Sequence, residues 1–299
     1  MKEIDTKTDL LYRLQALGLY VLILIFKILR LNLSCIFVSF IFMIVGPFTP
    51  PSFLALKNIK KTMPELSRIQ RIKIIIGMWN NLGRNLAEFI FLHTIKADKI
   101  DKYIYLDNHS IELLNEIYND KLGNILFTAH FGNWEALSLV FRKYDVRLSA
   151  IFRSMNNKYA DKIVTKYREH KNIQMIPKGK EGVIKIVRSL KEGRKLYMLV
   201  DQRLSNGIEV PFLGLPAKTS DATAMFAIKN NYKVYSIVVY RRTMFSTYFD
   251  IKVEKFDVIK TGNMQDDIRN TTIKINKEIE NWIKLRPEQW FWVHNRWKK

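Results

Sequence analysis

Residues 14–48 form a stretch of 35 positions interrupted by only two formal charges, Lys27 and Arg30. No other feature limits the fold of this 299-residue chain so strongly. The later part, 31–48, is 18 residues without a charge, and 14–26 is a second uncharged run. A helix needs about 20 apolar residues to cross the hydrocarbon, so either half alone is near or below the limit, and the two cations would have to snorkel toward an interface. The region reads as one transmembrane or deeply embedded anchor. The alternative is a buried helical hairpin. A cleaved signal peptide fits poorly, because the apolar region is too long and too late and no convincing small-residue cleavage site follows it.

Charge around this region gives it an orientation. Lys57, Lys60, Lys61, Arg68, Arg71 and Lys73 follow it, whereas residues 1–13 carry acids and bases in equal number. The positive-inside bias then puts the large C-terminal part on the cytoplasmic side, with the cations against anionic headgroups. The expected division is a membrane anchor over residues 1–50 and one further domain over 51–299.

The whole chain has 49 Lys and Arg against 28 Asp and Glu, a net charge of +21. Such an excess calls for a negatively charged partner: nucleic acid, an anionic membrane surface or an acidic substrate. A nucleic-acid role finds no zinc-finger spacing, basic-region zipper or RNA-recognition signature, and the apolar N-terminus opposes it. With 48% apolar residues the chain is not disordered, and with 26% charged residues it is not mostly membrane spans. Its one cysteine, Cys35, allows neither an intramolecular disulfide nor a thiolate metal cluster. A non-catalytic membrane scaffold remains the other class to separate from an enzyme.

Beyond the apolar region, Ser67 and Gln70 have capping-box spacing. They open a stretch in which Ile72, Ile75, Ile76, Trp79, Leu82, Leu86, Phe89 and Ile90 recur at helical steps. A second helix is expected over 108–119. Short apolar runs at 124–129, 147–152 and 195–200 then alternate with helical stretches near 134–142, 159–169 and 182–192. Gly193 stands at the last of these as a stop. Strands separated by helices predict an α/β domain with a mixed, largely parallel sheet flanked by helices. A helix over 221–230, a strand pair at 233–240 and 248–254, and a final helix from about 265 to 285 complete the reading. The tail carries Trp290, Trp292 and Trp297, which suit either an interfacial belt or a seal on the core.

The segment richest in chemistry is Asn124-Ile-Leu-Phe-Thr-Ala-His-Phe-Gly-Asn-Trp-Glu135. It puts His130 directly after a buried strand, Gly132 where the backbone must approach closely, and Glu135 in the first turn of a helix. His130 can take a proton from a hydroxyl, with Glu135 holding the imidazole in the required tautomer. No serine or cysteine nucleophile sits in a recognisable elbow, which favours direct attack by a substrate hydroxyl. A capped helix beside a hydrogen-bonded histidine is the plain alternative.

The string His-Phe-Gly-Asn-Trp-Glu closely resembles the His-x4-Asp/Glu motif of glycerolipid-type acyltransferases, specifically the lipid A biosynthesis late acyltransferases of lauroyl and myristoyl type. Other segments resemble the same family in order along the chain. They are the apolar N-terminus, Met63-Pro-Glu-Leu-Ser67, Asn81-Leu-Gly-Arg84, Ala87-Glu-Phe89, Phe152-Arg-Ser154, Asp201-Gln202, Val210-Pro-Phe-Leu-Gly214, Pro216-Ala-Lys-Thr219 and the ending from Pro287 to Lys298. The resemblance implies a glycerolipid acyltransferase-like fold and a bacterial inner-membrane enzyme. Such an enzyme moves a fatty acyl chain from an acyl carrier protein thioester to a hydroxyl of a Kdo-bearing lipid A precursor. It implies no metal and no organic cofactor. A lysophospholipid or other glycolipid acyltransferase shares the motif and is the alternative acceptor class.

On this basis His130 and Glu135 are the expected catalytic pair, and Asn133, Arg153, Asp201 and Gln202 the expected substrate-binding residues. Backbone N–H groups around Gly132 and Asn133 are candidates for the oxyanion. Arg153, at a strand end, suits a phosphate or sugar-acid carboxylate, or else a surface ion pair. Asp201 and Gln202, on the same expected edge, can position the acceptor or pair with a nearby base, or Asp201 can cap a loop. His294 is expected to pack or hydrogen-bond locally, and His93, His109 and His170 lack a positioned carboxylate.

Overall fold

The computed structural model describes residues 6–298. Three helices, α1 (Thr6–Val45), α2 (Pro50–Thr62) and α3 (Arg68–Leu92), precede β1 (Ile104–Leu106) and α4 (Asn108–Asn119). Alternation then sets in with β2 (Ile125–Thr128), α5 (Leu137–Lys143), β3 (Leu148–Phe152), α6 (Lys158–Arg168), β4 (Ile173–Pro177), α7 (Lys180–Lys191) and β5 (Lys195–Leu199). A hairpin of β6 (Ile208–Phe212) and β7 (Leu215–Thr219) leads to α8 (Ala222–Asn230), the pair β8 (Val234–Arg241) and β9 (Phe249–Phe256), and α9 (Met264–Leu285).

Seven strands form one sheet in the order β1-β9-β8-β2-β5-β3-β4. Every neighbouring pair is parallel except β8 with β9. The mixed, largely parallel α/β reading is therefore the observed fold. Alternate residues of β2 face opposite layers, as the pleat requires. Ile125 and Phe127 pack with Ile275, Ile279 and Trp282 of α9. Leu126 packs with Leu113, Leu114 and Ile117 of α4 and with Val140 and Phe141 of α5.

The capping box at α3 forms in both directions, Gln70 N–H to Ser67 Oγ at 3.3 Å and Ser67 N–H to Gln70 Oε1 at 2.8 Å. Gly193 ends α7 in the left-handed region at φ 75. The helix expected from Trp134 begins as a tight turn, Trp134–Ala136, before α5. Strands β1 and β4 and the β6–β7 hairpin are additions to the sequence reading. β4 lies at the sheet edge, where a strand-ending proline, Pro177, is tolerated.

The apolar N-terminal region is one helix by length and composition sufficient to cross a membrane, yet it is broken at Arg30, which sits at φ 60, ψ 173. The Ser34 hydroxyl donates to the Phe26 carbonyl at 3.2 Å, a contact between residues that an unbroken helix would set about 12 Å apart along its axis. One face of α1, with Ala16, Ile23, Phe26, Cys35 and Val38, is buried with Ala87 and Ile90 of α3 and Ile163 of α6. The other face, including Leu17, Leu24, Ile28, Phe37 and Phe40, is exposed and apolar.

The aromatic tail closes the core. Trp290 and Trp292 are buried and pack edge to face at 4.6 Å. Arg296 is buried as well, donating to the Lys218 carbonyl and to Thr219 Oγ1, both at 2.6 Å. An interfacial belt is thereby excluded for Trp290 and Trp292.

Candidate active site

β2 and β5 are neighbours in parallel register, Thr128 opposite Leu199, so the residues that follow them emerge side by side at the carboxyl edge of the sheet. His130 follows β2 and Asp201 follows β5. Their side chains meet, His130 Nδ1 to Asp201 Oδ1 at 2.8 Å. The second oxygen of Asp201 accepts the His130 main-chain N–H at 3.0 Å and the Trp290 indole N–H at 2.8 Å. Burial by itself would raise the Asp201 pKa, but the facing His130 and these three donors outweigh it and hold the carboxyl below its ordinary range.

With Nδ1 donating to a carboxylate, the imidazole keeps Nε2 as its free base nitrogen. The side chain is 21% exposed. Gln202 Nε2 stands 3.4 Å from it, and the rings of Trp134 and Phe291 flank the imidazole at 5.1 and 6.2 Å. Phe291 also donates its main-chain N–H to the His130 carbonyl at 3.1 Å, so the tail fixes the loop from above.

Glu135 takes a different partner from the one its spacing suggests. Its N–H is capped by Asn133 Oδ1 at 3.2 Å, and the tight turn over Trp134–Ala136 carries its carboxylate to Arg168 at the end of α6. The guanidinium binds it through Nη2 and through Nε, the latter at 3.2 Å. Burial pulls the Arg168 pKa down, yet the charge and hydrogen bonds of Glu135 overcome this and raise it. Among the described residues no hydrogen bond joins Glu135 to His130, and the place at Nδ1 belongs to Asp201.

Asn133 is completely buried, and both ends of its amide are used within the protein, Nδ2 on Glu88 Oε2 at 2.6 Å and Oδ1 on Glu135 N–H. No side-chain atom of Asn133 is left for a substrate. The Gly132 N–H is likewise taken, by the Gln289 carbonyl at 2.9 Å, which removes it from the candidates for an oxyanion donor. Gly132 itself lies at φ 55, and a Cβ there would overlap the Val239 carbonyl oxygen.

Arg153 follows β3, the neighbour of β5, and so stands at the same sheet edge. It is exposed and makes no ion pair among the described residues. His294 accepts the Arg203 N–H at 2.9 Å, a local bond in the tail. His109 does meet a carboxylate, Glu254 at 3.1 Å, but on an exposed surface. Among the described residues no group of three or more His, Cys, Asp or Glu side chains is placed to hold a metal ion. Sequence reasoning missed Arg168 and Trp290. Neither lies near its partner in the chain: the end of α6 brings Arg168 to Glu135, and the returning tail brings Trp290 to Asp201.

A histidine–carboxylate pair at the carboxyl edge of a largely parallel sheet, with no serine or cysteine nucleophile in it, is an arrangement that can activate a substrate hydroxyl. The profile of the bacterial lipid A biosynthesis acyltransferases matches residues 2–299. A lipid A biosynthesis palmitoleoyltransferase of Escherichia coli K12 is 24% identical over 248 residues, 82% of this chain and 78% of its own. A lipid A biosynthesis acyltransferase of Shigella flexneri has the same identity and coverage. A lipid A biosynthesis lauroyltransferase of E. coli K12 is 24% identical over 246 residues, 81% of this chain and 77% of its own. The chain belongs to the bacterial lipid A biosynthesis acyltransferase family. It is an acyltransferase of lipid A biosynthesis.

Proposed function

We propose that this protein moves a fatty acyl chain from an acyl carrier protein thioester to a hydroxyl of a Kdo-bearing lipid A precursor, with His130 as general base. The observation that carries the reading is the 2.8 Å bond from His130 Nδ1 to Asp201, which leaves Nε2 as the proton acceptor. As the acceptor oxygen attacks the thioester carbonyl, Nε2 takes its proton. The tetrahedral intermediate then collapses, the C–S bond breaks, and the imidazolium returns the proton to the departing pantetheine sulfur. Asp201 stabilises the imidazolium formed between these steps.

Asp201 thus takes the partner role first given to Glu135. Glu135 holds Arg168 in the wall of the site, and Asn133 braces the loop. Gln202, beside Nε2, orients the acceptor hydroxyl. Arg153 supplies a guanidinium for a phosphate or sugar-acid carboxylate of the acceptor. The net charge of +21 suits both a phosphorylated lipid and an acidic carrier protein.

Residues 1–50 serve as the membrane anchor, with the exposed apolar face of α1 against lipid, and residues 51–299 as the acyltransferase domain. The cations after the apolar region favour the cytoplasmic face of the bacterial inner membrane. The test is transfer of radiolabelled acyl groups from acyl carrier protein to a Kdo-bearing lipid A precursor and, in parallel, to lysophosphatidic acid, by wild type and His130→Ala. Transfer to the first acceptor, reduced about 100-fold or more in the variant, supports the reading. Transfer to lysophosphatidic acid alone overturns the acceptor, and undiminished transfer in the variant overturns the base.

A further inference from the structure

The segment after β2 is held from beneath by a charged cluster that takes no direct part in the chemistry above. Glu88 and Arg241, both almost fully buried, face each other with two bonds, Arg241 Nη1 to Glu88 Oε1 at 2.6 Å and Nη2 to Oε2 at 2.7 Å. The same guanidinium donates to Asn81 Oδ1 at 2.9 Å and to Asn85 Oδ1 at 2.7 Å. Those two asparagines turn their amide nitrogens onto one atom, the Gly132 carbonyl oxygen, at 2.9 and 2.7 Å. Glu88, in turn, accepts from Asn133 Nδ2 at 2.6 Å. From the strand side, Gln289 exchanges two bonds with the Arg241 main chain, while its carbonyl takes the Gly132 N–H.

Each of these bonds ends on residue 132 or 133, or on a group that holds one of them. Burying an ion pair is costly, and apolar packing of the same volume often stabilises a fold as well or better. What apolar packing cannot do is grip a main-chain carbonyl and a side-chain amide in a left-handed turn. We propose that Glu88 and Arg241, with Asn81 and Asn85, are positioning residues for the acyl transfer: they clamp the Gly132–Asn133 turn and through it fix His130 for attack. This gives a role to Asn81 and Glu88, from the Asn81-Leu-Gly-Arg84 and Ala87-Glu-Phe89 segments that the reaction itself leaves unassigned; with Asn85 they lie on one helix face at steps of four and three. The inference rests on His130 acting as the base.

The experiment is a double-mutant cycle against His130→Ala in the full-length protein, read as kcat and KM for both substrates, with thermal unfolding on every variant. Asn85→Asp keeps an acceptor for Arg241, removes the donor to Gly132 and sets a carboxylate oxygen against that carbonyl, so it perturbs the clamp where it meets the loop. Glu88→Gln perturbs it at the charge. In wild type each should lower kcat about tenfold or more with KM changed less than about twofold, and neither should lower the residual rate of His130→Ala further. Equal losses in both backgrounds, or losses that track the folded fraction, overturn the positioning role. If Glu88→Gln fails to fold, Asn85→Asp decides alone. A His130→Ala enzyme as active as wild type overturns the base assignment instead, a result separate from either outcome for the clamp.

Discussion

The Glu135 carboxylate is bound by Arg168, while the carboxylate that meets His130 is that of Asp201, 71 positions further along the chain. The two carboxylates therefore have different charges to answer. Asp201 is buried against the imidazole that takes the proton in the proposed reaction, and Glu135 is matched by a permanent cation. Tyr197 lies in the field of both: burial first, then Glu135 and Asp201, push its hydroxyl well above the usual phenol range, so it stays neutral beside them. Such a division keeps one negative charge available to the imidazolium without leaving the other uncompensated.

Replacing Asp201 by Asn should be among the most damaging single changes to catalysis. The amide can turn its NH2 toward Nδ1 and favour the tautomer in which Nε2 carries the proton, the wrong form for a base. Steady-state kinetics should show kcat lower by about 100-fold or more. A change within about threefold would mean that Asp201 is a cap for the loop and no partner of His130.

Glu135 and Arg168 should behave as one unit. Removing either leaves a partly buried charge without its partner, whereas removing both leaves none. The double variant Glu135→Ala/Arg168→Ala is expected to retain at least as much activity and stability as the worse single variant. Strictly additive losses in kcat/KM would show that the two act on the substrate separately.

The fold was legible where one period dominated. The helical steps of α3, the buried runs of β2, β3 and β5 and the β8–β9 pair all declare themselves locally. So does the edge on which His130, Arg153 and Asp201 gather, because parallel strands put their carboxyl ends together. Other features depend on contacts far apart in sequence. The partner of Nδ1 is set by β2–β5 register, and spacing along the chain favours Glu135 instead. Trp290 reaches Asp201 only because the tail folds back over the sheet edge. The break at Arg30 is equally silent, since no glycine or proline marks it and apolar residues continue on both sides.

Acid should loosen the protein partly through Asp201. Its folded carboxyl holds a proton less readily than the same group in the unfolded chain, so the unfolded state takes up more protons as pH falls. The stability this group contributes is complete above the ordinary carboxylate pKa of about 4 and is lost as pH drops below it. Thermal unfolding of wild type and Asp201→Asn across pH 3 to 7 should give curves that converge toward the acid end. Parallel curves would show that Asp201 has no linkage to folding.

Glycine at 132 and at 214 should differ sharply in tolerance to alanine, although both sit in the left-handed region, at φ 55 and φ 76. A Cβ at Gly214 meets nothing within 4 Å, so Gly214→Ala carries only the conformational cost, roughly 1 to 2 kcal/mol. At Gly132 the added carbon overlaps the Val239 carbonyl oxygen, and β8 must move or the turn must open. Either response shifts the loop that carries His130. Gly132→Ala should therefore lower Tm by several degrees more than Gly214→Ala and abolish most acyl transfer even where the protein remains folded. Equal shifts in Tm, with full activity in both, would show that the turn has room the structure denies it.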